Sequence, residues 1–108
     1  MNATMIRVIL EVQLWPNGPE ANEVYFCKEV ELPFLPQEGL EYMILFPGEK
    51  EHDQFDIHWV KWFEDKDKGH AVVRLELTAS WDDVPESSFD PATWKRGEYY
   101  ETFGLGSN

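Results

Sequence analysis

Three times between residues 5 and 46 the chain alternates apolar and polar side chains, and most of the polar partners are glutamate. Ile6, Val8, Leu10, Val12 and Leu14 share one parity, with Glu11 and Gln13 on the other. Val24, Phe26, Val30 and Leu32 follow, opposed by Glu23, Glu29 and Glu31. Leu40, Tyr42, Ile44 and Phe46 complete the set, opposed by Glu41. A period of two belongs to strands, whose successive side chains point to opposite faces. The pattern therefore predicts a sheet with one buried face and one wet, strongly negative face.

Two further strands are predicted beyond this region. Phe55, Ile57, Trp59 and Phe63 alternate with His58, Val60 and Trp62, so this strand is apolar on both faces, as when both sides are covered. Glu64 to Gly69 reads as a hairpin loop. Ala71, Val73, Leu75, Leu77, Ala79 and Trp81 then face inward, and His70, Val72, Arg74, Glu76 and Thr78 outward. The strands lie near residues 5–15, 23–32, 40–46, 55–64 and 70–81. Trp15 to Pro19 and Leu32 to Gly39 are rich in proline and glycine and form connections. Pro33 and Pro36 form a PxxP string, but Phe34 and Leu35 between them favour a loop tucked under the sheet. Asp90-Pro91 is a helix-start signature, predicting a short helix near 91–96 that Gly97 stops. The segment 98–105 is too apolar for a free tail and has three destinations: the sheet, a sixth strand, or another subunit.

Five consecutive strands with short connections predict an antiparallel meander. With one short helix to cover it, the sheet is expected to bend into a five- or six-stranded small barrel or strongly curled sheet. The 108 residues, 43% hydrophobic and with five tryptophans, suit one mainly β domain. Cys27 is the only cysteine and forms no intrachain disulfide. The first residues lack the basic leader and continuous apolar run of a signal peptide, and no stretch nears the roughly 18 apolar residues of a membrane span. A cytoplasmic location is the expectation.

Twenty-one acids against nine bases give a net charge of −12, spread along the chain. Direct binding to nucleic acid or an anionic membrane needs a basic patch, which this balance disfavours. A basic partner is permitted, and the same charge keeps a small protein soluble. Chemistry is weakly signalled. His52, Asp53, Asp56 and His58, with His70 across a hairpin, are suitable metal ligands by type, but their spacing matches no metal motif. Asp65-Lys66-Asp67-Lys68-Gly69 departs from a calcium loop, because glycine stands at the fifth position and Glu76 in a strand at the twelfth. Cys27 falls on the glutamate face, where negative neighbours disfavour the thiolate. No phosphate-cradling glycine loop or dinucleotide fingerprint occurs. No cofactor and no catalytic residue is expected.

The glutamate face is the remaining candidate. Glu11, Glu23, Glu29, Glu31 and Glu41 share a side if the strands pair in sequence, with Tyr25 as an aromatic anchor. The leading expectation is a non-enzymatic inhibitor, immunity-type protein or nucleic-acid mimic that docks this face on a basic, nucleic-acid-binding protein. Reversing Glu29 and Glu31 would then abolish binding. The alternative is an accessory or self-associating domain, a homodimer included, using Tyr99, Tyr100 and Phe103. A small metal-dependent or hydrolytic enzyme comes third.

Overall fold

The computed structural model describes residues 5–15, 23–65, 68–77 and 84–103. Six strands form one sheet: β1 (Ile6–Leu14), β2 (Val24–Leu32), β3 (Glu41–Ile44), β4 (Asp53–Asp65), β5 (Lys68–Leu77) and β6 (Lys95–Arg96). A five-residue helix, α1 (Tyr99–Phe103), follows. The spatial order is β3-β4-β5-β1-β2-β6. All neighbouring pairs are antiparallel except the central one, in which β1 runs parallel to β5 and Val8 stands beside Ala71.

This order corrects the meander. β2 and β3 are consecutive in sequence but lie on opposite sides of the β5–β1 centre. The physical reason is that β1 and β5 carry apolar side chains on both faces, Ile9 and Val72 on one and Val8, Leu10 and Val73 on the other, and these bury fully only when the strands are innermost. Among the described residues β3 and β6 are the two edges, and the sheet does not close into a barrel.

One face carries the main core. Val8, Leu10, Val12 and Leu14 of β1, Phe26 of β2, Phe55 and Ile57 of β4, and Ala71, Val73 and Leu75 of β5 are buried on it. Instead of curling on itself, the sheet is covered by loop side chains: Phe46 after β3, and Val84, Phe89 and Trp94 ahead of β6. Phe89 stacks on Phe26 with ring centroids 4.5 Å apart and meets Phe46 edge-on at 4.9 Å. Aromatic pairs in these geometries contribute about 0.5–1.5 kcal/mol beyond their burial.

Two local features escape simple alternation. In β4, Ile57 pairs with Leu75 but Trp59 pairs with Arg74, so His58 is an extra residue in a β-bulge. The bulge reverses the parity of everything beyond it. Trp59 and Phe63 therefore join the face opposite Phe55 and Ile57, and Val60 joins the main core. At Asp90 the helix signature yields a single turn. The Asp90 carbonyl accepts from Thr93 and Trp94, and its side chain accepts from the Ala92 amide. The helix expected at 91–96 goes no further because Lys95 and Arg96 pair with Cys27 and Phe26 as β6. Gly97, at φ 127°, then turns the chain toward α1, a conformation that disfavours any side chain.

Candidate functional site

Residues directly opposite in a sheet share a face, so the register orders the second face into rows. The first row runs Glu41, Asp56, Glu76, Gln13, Tyr25 across β3, β4, β5, β1 and β2. Four strand spacings make it ~19 Å long. Glu23 extends it, because its carboxylate accepts from the Tyr25 hydroxyl at 3.3 Å. The second row runs Trp59, Arg74, Glu11, Cys27, Lys95. The third runs Lys61, Val72, Ile9, Glu29.

The centre of this face is not wet. Ile9, Cys27 and Val72 are buried there, with Trp59, Phe63 and Tyr99 packed against them. Tyr99 reaches the patch from α1 and lies edge-on to Trp59, with centroids 6.2 Å apart. Beneath it sits Glu11, with 0% of its surface exposed. Its carboxylate pairs with the Arg74 guanidinium and accepts the Tyr99 backbone amide at 2.9 Å. Arg74 lies over both the Tyr25 and Trp59 rings, 4.9 Å from each centroid. Gln13 links the pair outward: it accepts from Arg74 at 3.4 Å and donates to the Tyr25 hydroxyl at 3.2 Å.

The six residues expected to form an acidic docking face thus separate. Glu11 is buried and takes no part in a surface, because α1 covers the middle of the sheet. Glu23 and Tyr25 sit at one end of the first row and Glu41 at the other. Glu29 and Glu31 stand at a distant corner, where Arg7 is bound to Glu29 at 2.9 Å. Burial, with Glu23 and Glu98 adding and Arg74 opposing, holds the Tyr25 phenol above its ordinary value. Asp56 and Glu76 are the members missed by pairing strands in sequence order. The outward parity of Glu76 was readable, but its neighbours were not.

The C-terminal aromatics are also divided. Tyr99 is spent on its own sheet, whereas Tyr100 remains exposed beside Glu98, which holds its phenol up to about 12. Phe103 ends α1.

The residues considered for metal or nucleophilic chemistry do not converge. His58 bonds Glu76 at the bulge. His70 is stacked on Phe63, and six residues of β5, or ~20 Å, separate it from Glu76. His52 is exposed in the loop before β4. Among the described residues no group of three His, Cys, Asp or Glu is placed to hold a metal ion. The Cys27 thiol donates to the Gly97 carbonyl at 3.2 Å. Burial first, and then the charge of Glu11, pushes it up to about 12.

One concavity escaped sequence reasoning. Phe26, Phe89, Pro91 and Trp94 line a groove of about 350 Å³ rimmed by the Glu86–Arg96 ion pair. Its walls are the same rings that close the main core. No helix of the described residues is long and apolar enough to cross a membrane. The chain matches no family model, no curated protein and no solved structure.

Proposed function

We propose that this chain is a non-enzymatic binding protein that docks an acidic band on the basic surface of a protein partner, of the kind nucleic-acid-binding proteins carry. The observation that carries this reading is the row Glu41, Asp56, Glu76, three carboxylates directly opposite one another on adjacent strands. Like charges in that position destabilise a sheet. Among the described residues no lysine or arginine pairs with any of the three; Gln54 bonds Glu41 and His58 bonds Glu76. A cationic surface laid along the row would replace repulsion with attraction and speed encounter. Glu23 and the half-buried Tyr25 prolong the band and supply an aromatic contact at its end. An inhibitor, an immunity-type protein and a nucleic-acid mimic all fit this reading.

The test is affinity capture from the host lysate at low salt, followed by a salt gradient. The native chain is expected to retain a basic protein that elutes as salt rises. The variant Glu41→Gln/Asp56→Asn/Glu76→Gln is expected to lose it while remaining folded. Undiminished capture by that variant, or a partner indifferent to salt, would sink the reading.

A further inference from the structure

Among the described residues, the cover over the middle of the second face is less buried than what it covers. Ile9, Glu11, Cys27 and Val72 have 0% of their surface exposed. Of the residues at and beyond the turn into α1, Gly97, Glu98, Tyr99 and Thr102 are only partly buried, and Tyr100 and Glu101 are exposed. The fastening changes at Gly97. Up to that point the chain is held as a strand: Lys95 and Arg96 pair with β2, and the Gly97 amide donates to the Tyr25 carbonyl at 2.8 Å. Beyond it the bonds turn inward. The Glu101 and Thr102 amides both donate to the Glu98 carbonyl at 3.0 Å, and the Glu101 carboxylate accepts the Glu98 amide at 3.1 Å. The Thr102 hydroxyl donates to the Tyr99 carbonyl at 3.4 Å. These bonds belong to the helix and travel with it. What ties it to the sheet is the Tyr99 ring, the Tyr99 amide on Glu11, and the bonds of the Cys27 thiol to the Gly97 carbonyl and the Thr102 side chain.

We infer that α1 is a lid, hinged at Gly97, that swings off the second face while the sheet beneath it stays folded. Opening breaks the Tyr99 amide bond to Glu11 but not the Glu11–Arg74 pair, whose two members stand on the neighbouring strands β1 and β5. Glu11 therefore keeps its counter-charge in the open state and gains access to water. The large penalty for stripping one partner from a buried charge is not incurred. The cost of opening is confined to the Tyr99 ring and a few polar bonds. Global unfolding gives up, in addition, the whole core on the other face. A segment fastened by few buried contacts opens at a lower free energy than the fold that carries it. Once open, the middle of the face presents Ile9, Val72 and Cys27 as an apolar floor, flanked by Trp59 and Phe63, with the Glu11 carboxylate among them. That floor lies in the rows next to Glu41, Asp56 and Glu76. The lid thus switches the middle of the face between a closed surface and an apolar seat, whether or not a basic partner docks on the row beside it.

Cys27 reports the lid directly, because it is the only cysteine and is bonded to Gly97 and Thr102 beneath Tyr99. The experiment follows the rate at which an aromatic disulfide reagent labels the full chain, across a urea series, beside the unfolding transition of the same chain. Labelling is expected to be about a hundredfold or more slower than in the unfolded chain, and nearly independent of urea until the transition begins, since little surface is exposed when the lid opens. Two variants separate the lid from the fold. Tyr99→Ala is expected to speed low-urea labelling by about tenfold or more, because it removes the ring that holds the lid down. Phe89→Ala weakens the core on the other face and is expected to lower the urea midpoint while leaving low-urea labelling unchanged. Labelling that tracks global unfolding at every urea concentration would overturn the inference, and the native chain alone suffices to show it. So would acceleration by Phe89→Ala equal to that by Tyr99→Ala, or labelling of the native chain as fast as that of the unfolded one.

Discussion

The charge of Glu11 is satisfied by two donors, the Arg74 guanidinium and the Tyr99 backbone amide. Removing one partner of a buried pair costs about 3–5 kcal/mol, because the other charge is left in a poor solvent. The two partners are not equivalent here, since the Arg74 side chain keeps 14% exposure and Glu11 keeps none. Arg74→Met is therefore expected to cost about 3–5 kcal/mol, and Glu11→Gln only about 1–2 kcal/mol because its carbonyl still accepts the Tyr99 amide. The double variant should lie nearer Glu11→Gln than the sum, as urea unfolding would show; simple additivity would mean the pair is uncoupled. Cys27 gives a pH-dependent counterpart. Its thiol ionises near 9.0 when unfolded and near 12 when folded, so the unfolded chain holds fewer protons between those values. Its contribution is complete below pH 9 and is lost as pH rises toward 12, and burial of Tyr25, Tyr42 and Tyr99 pushes in the same direction. Urea midpoints are expected to fall across that window, less steeply in Cys27→Ala. Equal slopes would remove the thiol from the account.

At the scale of elements, α1 owes its place to contacts and not to its length. Five residues cannot sustain a helix alone. Tyr99 closes the apolar patch over Trp59 and Phe63, and its amide completes Glu11. Ending the chain at Gly97 should therefore cost about 3–6 kcal/mol, combining an aromatic of about 1.5–3 kcal/mol with a charged hydrogen bond of similar worth. Tyr99→Ala keeps the amide and should lose only the first part. Thermal unfolding of both chains separates them, and a truncated chain of native stability would refute the docking. The strands β1 and β2 were legible because their apolar parity is unbroken in β1 and interrupted only by Lys28 in β2. β4 was legible as a strand but not in its faces, since His58 adds a residue without any change in pattern. The contribution of Lys95 and Arg96 as β6 was hidden, because two charged residues have no periodicity to read.

Over the whole molecule, the net charge of −12 was evident in the composition, but its gathering into a band was not. Local alternation assigns each side chain a face and says nothing of which strands are neighbours. That depends on β1 pairing with β5 across most of the chain, which buries apolar side chains on both faces of each strand. The consequence for stability can be measured. At 10 mM salt charges interact over ~30 Å, about the span of the sheet, and at 150 mM over ~8 Å. Self-repulsion should therefore outweigh the exposed Arg7–Glu29 and Arg96–Glu86 pairs, and the melting temperature is expected to rise by several degrees with added sodium chloride. If the repulsion is concentrated in the row, Glu41→Gln/Asp56→Asn/Glu76→Gln should raise the low-salt melting temperature more than Glu38→Gln/Glu51→Gln/Glu64→Gln, three scattered exposed acids. Both variants carry the same net charge, so the difference between them reports position alone, and it should vanish at high salt. Equal shifts would mean that the row is one acidic stretch among many, and a binding role for it would lose its energetic basis.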